Sequence, residues 1–151
     1  SVTVINERLE LVTLSREEMG FAYRHTALSG RDVAVVSAVL SLWPDNPQDI
    51  AARVADFTRR RRERQPLNYP SAGSVFKRPE GAFAAALIDT AGLKGVSVGG
   101  AQVSCKHAGF FVNTGGATAA DVLALIKLVQ NTVYEKSGFR LEPEIKIIGH
   151  D

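Results

Sequence analysis

An α+β fold, with a small mixed or antiparallel sheet and about three helices, is predicted by three features of the sequence. Strand-patterned and helix-patterned segments are interspersed without forming a βαβ series. Three stretches carry helix start or stop signals. Hydrophobic residues make up 45% and charged residues 23% of 151 positions, which suits a packed core and not a disordered chain.

The opening stretch alternates apolar and polar residues through Val2, Val4, Leu9, Leu11 and Leu14, and Asn6-Glu7 fits a turn between two short strands. Ser15 stands three before Glu18, a capping-box spacing for one helical turn ending near Gly20. Val33 to Trp43 is dense in aliphatic and β-branched residues and reads as a largely buried strand. Asn46-Pro47 opens a helix running to about Arg64, with Ile50, Val54 and Phe57 on one stripe and Pro66 as its stop. Leu67 to Pro79 is rich in Pro, Ser and Gly and reads as a loop. A second helix is expected over about Gly81 to Thr90, stopping at Gly92. Short strands broken by glycines fill Gly95 to Asn113. The third helix, Ala119 to Ser137, begins with the Thr118/Asp121 capping pair and ends at Gly138. It places Val122, Leu125, Ile126, Val129 and Val133 on one face. Arg140 to Ile148 is expected to be a final strand.

Composition narrows the function classes. No apolar run approaches the roughly 20 residues of a membrane helix, and no secretory leader opens the sequence. A single cysteine, Cys105, excludes an internal disulfide and a zinc cluster, and it is expected to be a small buried hydrophobe. A cytoplasmic setting fits this usage. A net charge of +2 does not call for nucleic acid. The chain begins with Ser1 and not Met, so it is expected to be a piece of something longer.

The loudest charge feature is Arg59-Arg60-Arg61-Arg62 followed by Arg64. Three readings stand: a solvated face with favourable charge at a helix C-terminus, a nucleic-acid patch lacking aromatic platforms, and a phosphate clamp for one small anion. In Pro70-Ser71-Ala72-Gly73-Ser74-Val75-Phe76-Lys77-Arg78-Pro79, small residues flank Ser74 and two cations follow. Such a loop lets backbone amides approach a ligand, or it is a plain turn with surface cations. It is neither a P-loop nor a nucleophile elbow. Ser74, His107 and Asp89 could be written as a hydrolase triad, but no spacing supports one. His25, His107 and His150 are expected to be structural or solvent-facing, and no metal-ligand spacing is present. Gly99-Gly100 and Gly115-Gly116 belong to no dinucleotide fingerprint.

Five segments in order resemble one family. They are Tyr23-Arg24-His25-Thr26, the Pro70 to Pro79 loop, Ala91-Gly92-Leu93-Lys94-Gly95, the run from Val103 to Asn113, and the run from Leu141 to Gly149. The sequence is similar to UDP-N-acetylenolpyruvoylglucosamine reductase, also called UDP-N-acetylmuramate dehydrogenase, most closely its shorter class. That family reduces the enolpyruvyl group of a UDP-sugar in peptidoglycan precursor synthesis, using FAD and NADPH. The resemblance implies catalytic roles for Arg24, for Ser74 as proton donor and for Glu144. It implies substrate contacts at Arg64, Gly73, Lys77 and Arg78, and flavin contacts at Tyr23 and Arg24. It implies that residues 1–43 end a FAD-binding region and residues 44–151 form the substrate-binding and catalytic domain. Most of the flavin site would then lie in an N-terminal half outside this sequence, which becomes a partner of the chain. A non-catalytic UDP-sugar binding module is the alternative. Arg78 stands where many members have Asn, Gly109 where Asn is common, Ala85 where Gly is common, and Thr26 where Ser is common.

Overall fold

The computed structural model describes residues 1–148. They divide into two compact units, Ser1–Pro47 and the residues from Gln48 on. The class is α+β as expected: three helices and two sheets whose strand pairs are all antiparallel.

The first unit is a three-stranded sheet of β1 (Val2–Ile5), β2 (Leu11–Leu14) and β3 (Ala34–Ala38) in the order β2-β1-β3. The expected turn closes β1 onto β2. Asn6 N–H donates to the Glu10 carbonyl, and the Asn6 Oδ1 accepts from the amides of Arg8 and Glu10. Leu9 completes this turn in the left-handed region at φ 61°. The Ser15/Glu18 capping box forms reciprocally at 2.8 and 3.2 Å. Val4 and Met19 are buried here.

The expected buried strand over Val33 to Trp43 is corrected. Only Ala34–Ala38 is strand, every residue of it is exposed, and Trp43 is 90% exposed. Aliphatic density marks a strand that wants cover on both faces, and among the described residues that cover is absent.

From its second residue on, α1 (Pro47–Arg64) belongs to the second unit, and proline at the first turn and Asp49 near the dipole's positive end provide its start. Its Ile50, Val54 and Phe57 stripe exists but lies open, and the helix has no buried residue. Next come β4 (Ser71–Ser74), α2 (Ala84–Thr90), β5 (Ser97–Val98), β6 (Ala101–Val103), β7 (Phe110–Asn113) and α3 (Ala119–Ser137). The sheet runs β4-β7-β6-β5. The expected loop from Leu67 to Pro79 therefore contains a strand, and the expected second helix begins three residues late, after Phe83.

One face of α3 meets this sheet and α2. Leu125, Ile126, Val129 and Val133 are buried, as their spacing requires, against Ile88, Val103 and Phe111, with Val122 packed at the edge. Burying each such side chain contributes roughly 1.5–3 kcal/mol. The Thr118/Asp121 capping box forms, and Gly138 ends the helix at φ 74°. The expected final strand reduces to one bridge, Phe76 to Pro143, flanked by the Lys77–Glu142 and Glu144–Val75 backbone hydrogen bonds. Cys105 is exposed, since it falls in the turn between β6 and β7 and not on either strand.

In the first unit the Glu7–Arg31 pair is acid-sensitive. The Arg31 guanidinium bonds both carboxylate oxygens of Glu7 at 2.8 Å and holds that carboxyl at about 2, below its ordinary value of 4.5. A depressed native value means the contribution is full above the unfolded value and is lost as pH falls from about 4.5 to about 2. Urea midpoints at both ends of that window should therefore fall further for the native chain than for Glu7→Gln.

Candidate functional site

Ser74 ends β4, and a bulge shapes its approach. The β4–β7 register shifts between Ser71 and Ser74, which face Val112 and Phe110. Within the bulge Gly73 takes φ 87°, a conformation that favours glycine, while its amide donates to the Ser71 hydroxyl at 3.1 Å. Beyond Ser74 the chain stays extended, and the Val75 amide donates to the Gly109 carbonyl at 2.9 Å. Val75 and Phe76 are buried, and Phe76 meets Phe111 edge to face at 5.9 Å. Ser74 itself is exposed beside them.

The same extended segment carries a second partner. The Lys77 amide donates to the Glu142 carbonyl at 2.8 Å, and the Glu144 amide donates to the Val75 carbonyl at 2.7 Å. The Lys77 ammonium also pairs with the Glu142 carboxylate. Ser74 and Glu144, widely separated in sequence, are thus brought to neighbouring positions on two paired segments. Glu144 is half-buried.

Two expected cations flank this pair. Lys77 is the one joined to Glu142. Arg78 lies with Cζ 3.9 Å from the Phe83 ring centroid. A guanidinium stacked on a ring loses little further freedom when it binds an anion. The loop cations therefore have supports on Phe83, the residue before α2, and on the Glu142 segment.

Arg64 is exposed at the end of α1. Two residues earlier, Arg62 lines a cavity of about 540 Å³ with Tyr69, Gln102, Ser104, Cys105 and Lys106. The Lys106 ammonium donates to the Arg62 carbonyl at 2.5 Å, a cation placed on a helix C-terminus. Arg62 belongs to the run for which the sequence leaves three readings open, and nothing local in the sequence joins it to Lys106 or Tyr69. Their grouping depends on how the β6–β7 turn returns to α1, and no local spacing records that. Arg59 and Arg60 do sit on a solvated face, paired with Asp56 and, for Arg59, Glu63. Such exposed pairs contribute little.

The hydrolase residues are otherwise engaged. Asp89 pairs with Lys94 at 2.6 Å, and His107 Nδ1 accepts from the Gly109 amide at 3.1 Å while its ring meets Phe110 edge to face. His25 is exposed, and His150 lies outside the described residues, as does Gly149. Among the described residues no helix is long and apolar enough to cross a membrane. Two of the sequence departures prove to be neighbours. A Cβ on Gly109 would lie 3.3 Å from the Ala85 Cβ and 3.1 Å from His107 Cε1, so a larger residue at 85 goes with the smallest at 109.

Arg24 lies in the first unit, on a two-residue hairpin. Ala22 and His25 exchange backbone hydrogen bonds at 2.9 and 3.3 Å, and Tyr23 and Arg24 form the loop. Arg24 takes φ 56°, where such a turn usually has glycine. The Tyr23 ring is 73% exposed, and the Arg24 guanidinium lies 5.7 Å from its centroid.

Comparison with known proteins places these features in a family. A family profile described as the UDP-N-acetylenolpyruvoylglucosamine reductase C-terminal domain matches residues 65–148. A protein from Caldanaerobacter subterraneus named UDP-N-acetylenolpyruvoylglucosamine reductase is 50% identical over 148 residues, covering 98% of this chain and 49% of its own length. A protein of the same name from Agathobacter rectalis is 52% identical over 147 residues, covering 97% and 47%. The crystal structure of the Thermus caldophilus UDP-N-acetylenolpyruvylglucosamine reductase superposes with a TM-score of 0.81 at 37% identity, over 96% of this chain and 51% of that one. The chain spans about half the length of the curated relatives it matches.

The left-handed turn at Arg24 is conformationally costly for a side chain of that size. Arg24→Gly should raise the stability of the first unit by up to about 1 kcal/mol, as should Leu9→Gly at the same φ. Urea midpoints check both, and loss of stability at either position would contradict the strain.

Proposed function

Because the chain belongs to the UDP-N-acetylenolpyruvoylglucosamine reductase family, we propose that it supplies the substrate-reducing residues of a flavin-dependent reductase acting on UDP-N-acetylglucosamine enolpyruvate, with NADPH as electron source. The observation that carries this reading is the pairing of the Ser74 and Glu144 segments, through the Glu144 amide on the Val75 carbonyl and the Phe76–Pro143 bridge. A hydroxyl and a carboxyl held on one frame, with Lys77 and Arg78 beside them, suit protonation of a carbon next to a developing enolate.

The roles follow from the chemistry. Reduction of the enolpyruvyl double bond adds hydride to the carbon distal to the carboxylate and a proton to the other carbon. FAD, when bound, supplies the hydride it has received from NADPH. Arg24 is the cation proposed for the carboxylate as it takes on enolate charge, and Glu144 is the catalytic carboxyl of the family pattern. Ser74 delivers the proton from its hydroxyl. Serine is a weak acid, and the Lys77 and Arg78 cations lower the cost of its transient negative charge. The substrate's pyrophosphate is the other anion these cations, with Arg64 and the Gly73 loop, are suited to hold.

The chain's own residues fit a flavin in part. The exposed Tyr23 ring beside the Arg24 guanidinium offers a stacking face and a cation at a fixed hairpin tip. The sequence has no glycine fingerprint for the dinucleotide phosphates. The remainder of that site falls to a preceding N-terminal half, the part of the curated relatives that this chain does not match. Open apolar surface supports such a partner: Val35, Val36, Leu42 and Trp43 in the first unit, and Val54 and Phe57 on α1. Exposed apolar patches of this kind are normally covered. Residues 1–43 are read accordingly as the close of the FAD-binding region and residues 44–151 as the substrate-binding and catalytic domain, in a cytoplasmic enzyme.

In the intact reductase, Ser74→Ala should slow reoxidation of reduced flavin by the enolpyruvyl substrate about 10²–10⁴-fold, the usual size of a positioned proton donor. Reduction of the flavin by NADPH should be unchanged. Stopped-flow absorbance of the two half-reactions checks this. Reoxidation by the variant at the native rate would remove Ser74 from the chemistry and leave the UDP-sugar binding role.

A further inference from the structure

Residues 141–144 form a strap with few means of holding its register. Among the described residues the segment makes one isolated bridge, Phe76 to Pro143, and no regular strand. Leu141 is buried, yet apolar burial fixes depth and not position along the chain. Of the directional contacts described, those of Glu142 and Glu144 run to the Val75–Lys77 segment, which is itself extended chain beyond β4. A further contact ties the strap to another element. The Gln130 side-chain amide donates to the Leu141 carbonyl at 2.8 Å, half-buried, from α3. Gln130 follows Val129, which is wholly buried in the core, so its backbone is held by the best-packed helix of the unit.

We infer that Gln130 is a positioning residue for Glu144: its amide fixes the strap against α3 and so sets where the paired Ser74 and Glu144 segments stand. This inference rests on the proposed reductase reading for its kinetic consequence, but not for its structural one. Neither the family resemblance nor the named relatives assign Gln130 a role. A hydrogen bond is directional and an unmet half-buried carbonyl is costly, so losing the donor should loosen the strap first.

Gln130→Met keeps length and helix propensity and removes the donor. Gln130→Glu keeps shape and replaces the donor with an acceptor. Gln130→Arg restores a donor. In the intact reductase, amide hydrogen exchange is the first readout. The Met and Glu variants should lose protection at the Lys77 and Glu144 amides by about tenfold or more. The Gly95 and Val103 amides, which bond across another part of the sheet, should keep theirs. Stopped-flow is the second readout. The enolpyruvyl half-reaction should slow by about tenfold or more while flavin reduction by NADPH stays within about twofold. Gln130→Arg should recover both readouts. Unchanged protection at Lys77 and Glu144 would overturn the inference. So would an even loss of protection across the unit, or lost strap protection with an unaffected enolpyruvyl half-reaction. If the native protein reduces no enolpyruvyl substrate, the reductase reading falls, and the exchange pattern still decides whether Gln130 sets the strap.

Discussion

The hydrogen bond from the Glu144 amide to the Val75 carbonyl is the contact on which the candidate site depends. It closes a long loop of chain, and long-range closure costs entropy that grows only slowly with length. Burial of Val75, Phe76 and Leu141 offsets that cost. The same rung that completes the packing also delivers a carboxyl to the neighbourhood of a serine. Stability and the proposed chemistry share one frame, so mutations that loosen the frame should be felt in both.

Charge is laid over this frame in two grades. On α1 the arginines pair with Asp56 and Glu63 in solvent, and their contribution is small. In the loop after Ser74 the cations have supports of other kinds. Lys77 is tied to the strap through Glu142, and Arg78 rests on Phe83. Preorganised cations are worth more to an anionic ligand than mobile ones, because less freedom is lost on binding. The Arg24 turn shows a related economy: a side chain is accepted in a left-handed conformation that glycine would fill at less strain.

Local signals were legible in the sequence and distant ones were not. The α3 stripe and its Thr118/Asp121 and Gly138 caps are written within one helix, and they form as spelled. The stripe on α1 was read correctly as apolar, but periodicity reports which face is apolar and not whether anything covers it. The aliphatic run at β3 misled for the same reason. β4 was missed because it is four residues long, contains a bulge glycine, and gains its identity only from β7. The final strand was overextended because alternation at Leu141, Pro143, Ile145 and Ile147 looks like a strand, whereas the pairing depends on a distant segment and reaches only Phe76 and Pro143. Of the site, Ser74, Lys77 and Arg78 stand out in the pattern of their own loop, whereas their roles, and Glu144 altogether, rest on motif resemblance. The grouping of Arg62 with Tyr69 and Lys106 came only from the fold.

The most direct measurement is a crystal structure of the intact protein with the enolpyruvyl UDP-sugar bound. The expected result has the Ser74 hydroxyl within about 3–3.5 Å of the enolpyruvyl carbon that takes the proton, with the substrate's carboxylate against Glu144. A substrate bound with its enolpyruvyl group away from both Ser74 and Glu144 would contradict the paired segments as the reacting frame.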